Sequence, residues 1–288
     1  MQTVISFDLH APFAVFKKPD INKSLYVTYN MLHRPALLGI LGAIVGMEGF
    51  RENQQWPEYY RKLKTLRVGI EPLGSSNGNF PKTVITFNNS VGYASAEEGG
   101  MLQVTEQTLW LPEKRARQED GTETLEFPGF RCYILLDLDD PDQKQLREYI
   151  LGGRAEFLPY LGKNECAAWW EANKVQEFGV QPFSKNEDFQ IDSLFIKEQS
   201  VRDERKSSKF SFSGIQANLY LYFERLPVGY DETLYQYNFA DFAWTNVQFK
   251  RESTVSDLFV LIAPDGTKRV VQLFNYETAT AAANENAS

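Results

Sequence analysis

The stretch Phe130-Arg131-Cys132-Tyr133-Ile134-Leu135-Leu136-Asp137-Leu138, followed by Asp139-Asp140-Pro141-Asp142, decides how the rest of the chain is read. The first part is a strongly apolar strand. In the second, Asp140 stands at a helix N-cap and Asp142 in the first turn, where negative charge favours the helix dipole. Leu146, Tyr149 and Ile150 then recur at helical spacing, and Gly152-Gly153 ends the helix. The unit is a strand leading into an amphipathic helix.

Upstream, Val4 to Leu9 alternates Ile5, Phe7 and Leu9 with Val4, Ser6 and Asp8, the period of a half-buried strand. His10 to His33 reads as a long loop with Pro12, Pro19, Lys17, Lys18 and Lys23, and a connection of that length is usually functional. Arg34-Pro35 opens a helix that runs toward Met47, with proline at a first-turn position. Arg61 to Ile70 passes from a basic helix end into a strand. Thr83 to Phe87 and Met101 to Leu111 are further strands, and Lys114 to Thr124 is a charged tip turning at Asp120-Gly121. A short strand is expected near Glu156 to Leu158.

This order predicts an α+β fold: a ferredoxin-like (RRM-like) split βαβ domain over 1–164, with an insertion over about 83–127 between its second and third core strands. Beyond it, Phe189 to Ile196, Ala217 to Glu224, Leu234 to Phe239, Asp257 to Ile262 and Lys268 to Phe274 are short aromatic-rich strands. Pro264-Asp265-Gly266 is a hairpin turn. They form a β-rich region over 165–276, and the Ala, Asn, Thr and Glu of 277–288 read as a disordered tail.

The 288 residues are 43% hydrophobic and 14% aromatic, enough for a sizeable core. Cys132 and Cys166 are too few for a disulfide framework or a four-ligand zinc site, and read as reduced thiols of a cytoplasmic protein. No export signal opens the chain, and Pro35 to Met47 is too short for a membrane span of about 20 residues. The net charge of −8 argues against electrostatic coating of nucleic acid. Residues 1–71, however, carry nine Lys/Arg against six Asp/Glu, which leaves −11 for the remainder. An anion site is therefore expected mainly in the first quarter.

Gly39, Gly42, Ala43 and Gly46 fall on one helical face, and the glycines lose about 1 kcal/mol each relative to alanine. Close packing explains the stripe better than phosphate contact does, and the spacing is not that of a dinucleotide fingerprint. Asp137, Asp139, Asp140 and Asp142 are explained by helix capping rather than a metal, so no metal or cofactor is expected. The two histidines, His10 and His33, bracket the loop. His33 with Tyr26 or Tyr29 and Lys17 or Lys18 would be the parts of a metal-independent ribonuclease, but without a tight motif a hydrogen-bonded loop histidine explains His33 better. Lys17, Lys18 and Arg34 with Phe16 and Tyr29 form a more promising set, because single-stranded RNA is held by cations on phosphates and aromatic faces under bases. Lys114, Arg115 and Arg117 form a second basic set, followed at once by Glu119 and Asp120.

Ala11-Pro12-Phe13-Ala14-Val15-Phe16-Lys17-Lys18-Pro19, then Thr28-Tyr29, then Pro35-Ala36-Leu37-Leu38-Gly39-Ile40-Leu41-Gly42-Ala43-Ile44-Val45-Gly46 resembles the N-terminal signature of the CRISPR-associated Cas-five family. Pro159-Tyr160-Leu161-Gly162-Lys163-Asn164-Glu165-Cys166 is similar to a second pattern of that family. The resemblance covers the first domain; the C-terminal part carries no matching motif.

It implies a RAMP protein with a thumb-like hairpin at about 83–127, bound to the 5′ handle of crRNA within the type I surveillance complex called Cascade, subtype I-B preferred. It also implies a Cas-seven backbone subunit and a Cas-eight large subunit as partners, target DNA reached through the complex, and Lys163 and Asn164 as further RNA contacts. In subtype I-C the family member cuts precursor crRNA with tyrosine, lysine and histidine. This chain has no adjacent Lys-His pair in the middle of the first domain, so binding without catalysis is expected. An endoribonuclease, and a ferredoxin-like assembly protein without RNA, are the alternatives.

Overall fold

The structure, a computed structural model, describes residues 2–19, 25–52, 55–89, 102–117, 123–184, 186–197, 219–251, 253 and 255–284. Lys23, Glu119 and the turn at Asp120-Gly121 lie outside the described residues. β1 (Gln2–His10) is followed by four two-residue strands, β2 (Phe13–Ala14), β3 (Phe16–Lys17), β4 (Leu25–Tyr26) and β5 (Thr28–Tyr29). The segment after β1 is thus a folded strap, with β3 paired antiparallel to β5.

The helices α1 (Arg34–Ile44) and α2 (Glu58–Leu63) lead into β6 (Arg67–Leu73). Two hairpins come next. One is β7 (Lys82–Asn89) with β8 (Leu102–Trp110), and the other is β9 (Lys114–Arg117) with β10 (Glu123–Glu126). β11 (Gly129–Asp137), α3 (Pro141–Leu151), β12 (Gln176–Pro182) and β13 (Phe195–Ile196) follow. The chain closes with β14 (Leu221–Asp231), β15 (Gln236–Thr245), β16 (Leu258–Ile262), β17 (Lys268–Gln272) and α4 (Tyr276–Asn284). The run from Glu277, expected to be unstructured, is therefore helical through Asn284.

β12, β1, β11 and β6 lie side by side, each pair antiparallel. Among strands separated by α1 and α3, that is the order fourth, first, third, second. The fourth place was expected near Glu156–Leu158. There the Glu156 and Phe157 N–H groups instead donate to the Ile44 and Ala43 carbonyls at the end of α1 (2.9 and 3.0 Å), satisfying acceptors the helix leaves open. β12 supplies the strand in their place.

β16 and β17 extend the sheet beyond β12 to six strands, across the boundary expected near residue 165. The sheet curls until its edges meet. Val68 of β6 exchanges both backbone hydrogen bonds with Phe274, just past β17 (2.9 and 3.0 Å). Gly69 permits this approach, since a Cβ there would lie 2.9 Å from the Gln272 carbonyl oxygen. Closure removes the unpaired edges that invite aggregation.

Closure also changes the reading of β1 as half-buried. Its outer face, with Ile5, Phe7 and Leu9, packs with Leu37, Leu38 and Leu41 of α1 and Leu146 and Ile150 of α3. Val4 on the inner face is equally buried, because Tyr133, Phe178, Leu261, Val271 and Leu273 fill the interior. A separate three-stranded sheet, order β13-β15-β14, lies outside this layer. No helix among the described residues is long and apolar enough to cross a membrane. Both cysteines are free and buried.

α1 begins at the His33 N-cap and ends in a Schellman motif. The Met47 N–H donates to Gly42 O and the Gly46 N–H to Ala43 O, with Gly46 at φ +78. The glycine stripe serves close packing, but against α2 rather than a sheet. A Cβ on Gly42 would sit 2.3 Å from Tyr59 Cβ, whereas one on Gly39 would meet the Tyr59 ring at an ordinary 3.9 Å. The two glycines should therefore respond oppositely to alanine. Gly42→Ala gains about 1 kcal/mol of helix propensity but must push α2 away, an overpacking cost of about 1–3 kcal/mol, for a net loss. Gly39→Ala should be neutral or stabilising by up to about 1 kcal/mol. Urea unfolding midpoints of the two variants check this.

Candidate nucleic-acid interface

The exposed side of α1 forms the floor of a cleft of about 880 Å³. Ala36, Gly39 and Ala43, one or two turns apart, keep that floor shallow. One wall is the 157–163 turn, and the other is the β7–β8 hairpin, through Phe87, Val104 and Glu106. Phe50, Phe157, Leu158 and Tyr160 stand on the rim, with Leu158 70% exposed. An apolar rim of this kind marks an interaction surface.

The turn is fixed by backbone contacts between the two sequence motifs. The Val15 N–H donates to Leu161 O (3.0 Å), and the Leu161 N–H donates to Cys166 O. Gly162, at φ +88, brings its Cα so close that a Cβ would lie 1.9 Å from the Val15 carbonyl oxygen. The strap Ala11–Pro19 and the turn Pro159–Cys166 are thereby one structural unit.

Three cations and two carboxylates line the cleft: Lys17, Arg51 and Lys163 with Glu48 and Glu106. Lys163 Nζ donates to both oxygens of the nearly buried Glu106 (2.8 and 3.0 Å) and sits 4.7 Å from the Phe87 ring centroid. Arg51 pairs with Glu48 at 2.9 Å. Lys17 Nζ lies 3.6 Å over the Tyr26 ring. Each cation thus stands beside a ring or a carboxylate, which holds it in place and reduces its free charge.

The expected contact residues do not all reach this surface. Lys17 and Lys163 line it, and Asn164 is exposed in the turn immediately after Lys163. Lys18 points to the other side of its strand, 3.6 Å from Glu224 and 4.9 Å from the Tyr29 ring centroid. Phe16 and Tyr29, expected as stacking faces, are 2% and 3% exposed and pack edge-on against His33. The strap folds into paired strands with these rings turned inward, so Phe16 lines the cleft and Tyr29 the second pocket as largely buried rings. In the second basic set, Lys114 Nζ donates to Gly74 O at 2.6 Å, and Arg115 stands exposed 3.9 Å from Glu123. Arg117 belongs to β9, and its side chain lies outside the described residues.

Arg34 is the largest departure. It is fully buried and donates to the backbone carbonyls of Lys64, Leu66 and Val228. Its Nε has no partner, and burial pulls its pKa down to about 10. Its guanidinium is committed to holding three segments of the fold together. Residues that composition did not single out, Arg51, Phe87 and Phe157, line the cleft instead. Tyr160, quoted only as part of a motif, does as well.

His33 lines the cleft, but both histidines are buried, at 5% exposure for His33 and 6% for His10. His10 Nδ1 lies 3.3 Å from Pro128 O. His33 accepts the Ala36 N–H through Nδ1, and burial lowers its pKa to about 3. Asp140 caps α3 by accepting from Asp142 and Gln143, and the described residues hold no acidic, histidine or cysteine group suited to a metal.

No family model matches the chain, and no curated protein matches it. Among solved structures, a component of a "CRISPR RNA-guided surveillance complex" is similar at 9% identity, with 99% of each chain covered and a TM-score of 0.42. A CRISPR protein from Archaeoglobus fulgidus is similar at 11% identity, covering 94% of this chain and 98% of that one, with a TM-score of 0.45. A chain of the Type III-B Cmr-beta complex bound to cognate target RNA and AMPPnP gives 10%, 94%, 99% and 0.44 in the same order. At these scores the likenesses carry neither fold nor function over to this chain.

Two outcomes follow from the buried cation and the buried cap. Arg34→Ala leaves three carbonyls without their donor and should cost about 3–5 kcal/mol in chemical denaturation, so any loss of binding in that variant reports unfolding. His33 is held neutral in the fold, so its contribution to stability is full above its ordinary pKa of 6.5 and is lost as pH falls toward about 3. His33→Asn keeps a capping side chain without the titration. Its melting temperature should therefore fall less steeply than the wild type's between those two pH values.

Proposed function

We propose that this chain is a non-catalytic crRNA-binding subunit of a type I CRISPR surveillance complex, of the Cas-five family, with subtype I-B preferred. The observation that carries the reading is the joining of its two family-like motifs. The Ala11–Pro19 strap and the Pro159–Cys166 turn are far apart in sequence, yet they lock together through Val15, Leu161 and Gly162 and wall one cleft with α1. On this reading β12-β1-β11-β6 with α1 and α3 is the ferredoxin-like RAMP core, and the β7–β8 hairpin is the thumb.

The 5′ handle of crRNA would lie in the cleft. Lys17, Arg51 and Lys163 would meet its phosphates, while Tyr26, Phe87 and Tyr160 would meet its bases. The exposed rim at Phe50, Phe157 and Leu158 suits protein neighbours, proposed as the Cas-seven backbone and Cas-eight large subunits, with target DNA engaged through the cytoplasmic complex. With so few cations in the cleft, the chain should bind RNA weakly by itself and rely on those neighbours. The burial of His33 and His10 supports binding without cutting.

Co-expression with a CRISPR array tests the reading: short repeat-derived RNA should co-purify with the tagged complex. Lys17→Ala combined with Lys163→Ala should lower the recovered RNA roughly tenfold while the protein stays folded. Recovery of the partner proteins free of RNA would favour a pure assembly role. Specific cleavage of repeat RNA in EDTA by the isolated chain, abolished by His33→Ala, would make it a ribonuclease instead.

A further inference from the structure

The β14–β15 hairpin forms a second concavity, which adjoins the cleft over α1 across a shared wall of Tyr230 and Tyr237. A pocket of about 700 Å³ opens near its turn, against the strap at Lys18. Tyr230, Tyr235, Tyr237 and Phe239 supply aromatic walls and Lys18 and Arg225 supply cations; among the described residues no carboxylate lines it. In a chain of net charge −8 this is a local reversal of sign.

The aromatic set is held in a fixed arrangement. Tyr230 and Tyr237 stack with centroids 4.7 Å apart and hydroxyls 3.3 Å apart. Tyr235 adopts φ +53, a left-handed conformation uncommon for a bulky residue, and lies flat on Trp56 at 5.1 Å and 7°. It is nonetheless 48% exposed and lines the pocket. Strained residues held in such a way concentrate at ligand clamps.

Each cation is partnered to a ring. The exposed Arg225 guanidinium stands 5.3 Å from the Phe239 centroid. Two residues back on the same face of β14, Phe223 is 54% exposed with Lys197 Nζ 5.3 Å from its centroid. Glu224 is ion-paired with Lys18 at 3.6 Å and also accepts from the Asn30 N–H and the Tyr222 hydroxyl, so Arg225 carries more of the pocket's positive charge than Lys18 does. Asp241 faces Arg225 across the ladder but does not line the pocket.

Alternating rings and cations match the two needs of a single nucleic-acid strand, a stacking face for the base and positive charge for the phosphate. Protein interfaces are also enriched in Tyr, Phe and Arg, but the repeat of ring and cation along one face of β14 favours a nucleic-acid strand, and a protein neighbour is an outcome of the test below. We infer that this pocket seats one nucleotide of a single-stranded RNA. Its base rests on the Tyr235 and Phe239 side, its phosphate meets Lys18 and Arg225, and the strand runs on over Phe223 and Lys197. The inference rests on the RNA-binding reading above and adds a second contact surface to it.

Fluorescence anisotropy of the full chain with labelled oligouridylate, over a range of salt, tests it. Arg225→Ala should weaken binding roughly five- to tenfold and reduce the salt slope by about 0.7, the effect of one lost phosphate contact. Tyr235→Asn tolerates the left-handed backbone but lacks the ring, and should weaken binding roughly tenfold without changing the slope. Both positions are exposed, so melting temperatures should match the wild type and separate lost contact from lost fold. Wild-type affinity in both variants overturns the nucleotide seat and leaves the RNA reading standing. That result combined with lost capture of a co-expressed protein neighbour assigns the surface to protein. Absence of wild-type binding to oligouridylate at low salt overturns the seat, while the crRNA reading stands or falls on the co-purification above.

Discussion

The Arg34 guanidinium, buried with no carboxylate beside it, is the interaction on which the other parts depend. It starts α1 and donates to the Lys64 and Leu66 carbonyls after α2 and to the Val228 carbonyl of β14. Val228 is available because the β14–β15 ladder slips between Pro227 and Gly229. Proline gives no N–H to a ladder, and the bulge leaves one carbonyl for another partner. A buried cation satisfied only by carbonyls is expensive, as its lowered pKa records, and it persists because three segments would separate without it.

The second constraint is closure of the main sheet. With Val68 bridged to Phe274, both faces of β1 and β11 are buried and the C-terminal strands become part of the first core. The helices are then confined to the outer face. There α1 presents its large residues inward and its small residues outward, so the floor of the cleft follows from the same packing that fills the core. The strap and the 157–163 turn, which cap the cleft and the end of α1, take their positions from Gly46 and Gly162, both at positive φ.

Among the described residues, the cations that line the cleft are each placed against a carboxylate or a ring. Lys163 is matched to Glu106 and Arg51 to Glu48, while Lys17 and Arg225 stand over rings. The carboxylates offset the charge of Lys163 and Arg51, whereas the rings position Lys17 and Arg225 without cancelling theirs. A surface built in this way favours geometry and partner-assisted assembly over long-range attraction, in keeping with an acidic chain.

Much of the element order was legible in residues alone. The apolar run at Phe130–Leu138, the Asp140 cap, the Arg34-Pro35 helix start and the Pro264-Gly266 turn each carry a local physical signal, and each element formed where that signal lay. The same local reading found Lys17 and Lys163, which face the cleft. It could not foresee that Phe16, Tyr29 and Arg34 are buried, because a ring or a cation reads alike whether a neighbouring strand covers it or solvent does. It missed β12, whose sequence Gln176–Pro182 has weak alternation and takes its conformation from β1 and β16 on either side. Sequence thus determined the elements that carry a strong local signal, such as β11, α1 and α3. Only the tertiary structure decided burial and charge pairing, since both depend on contacts between residues distant along the chain.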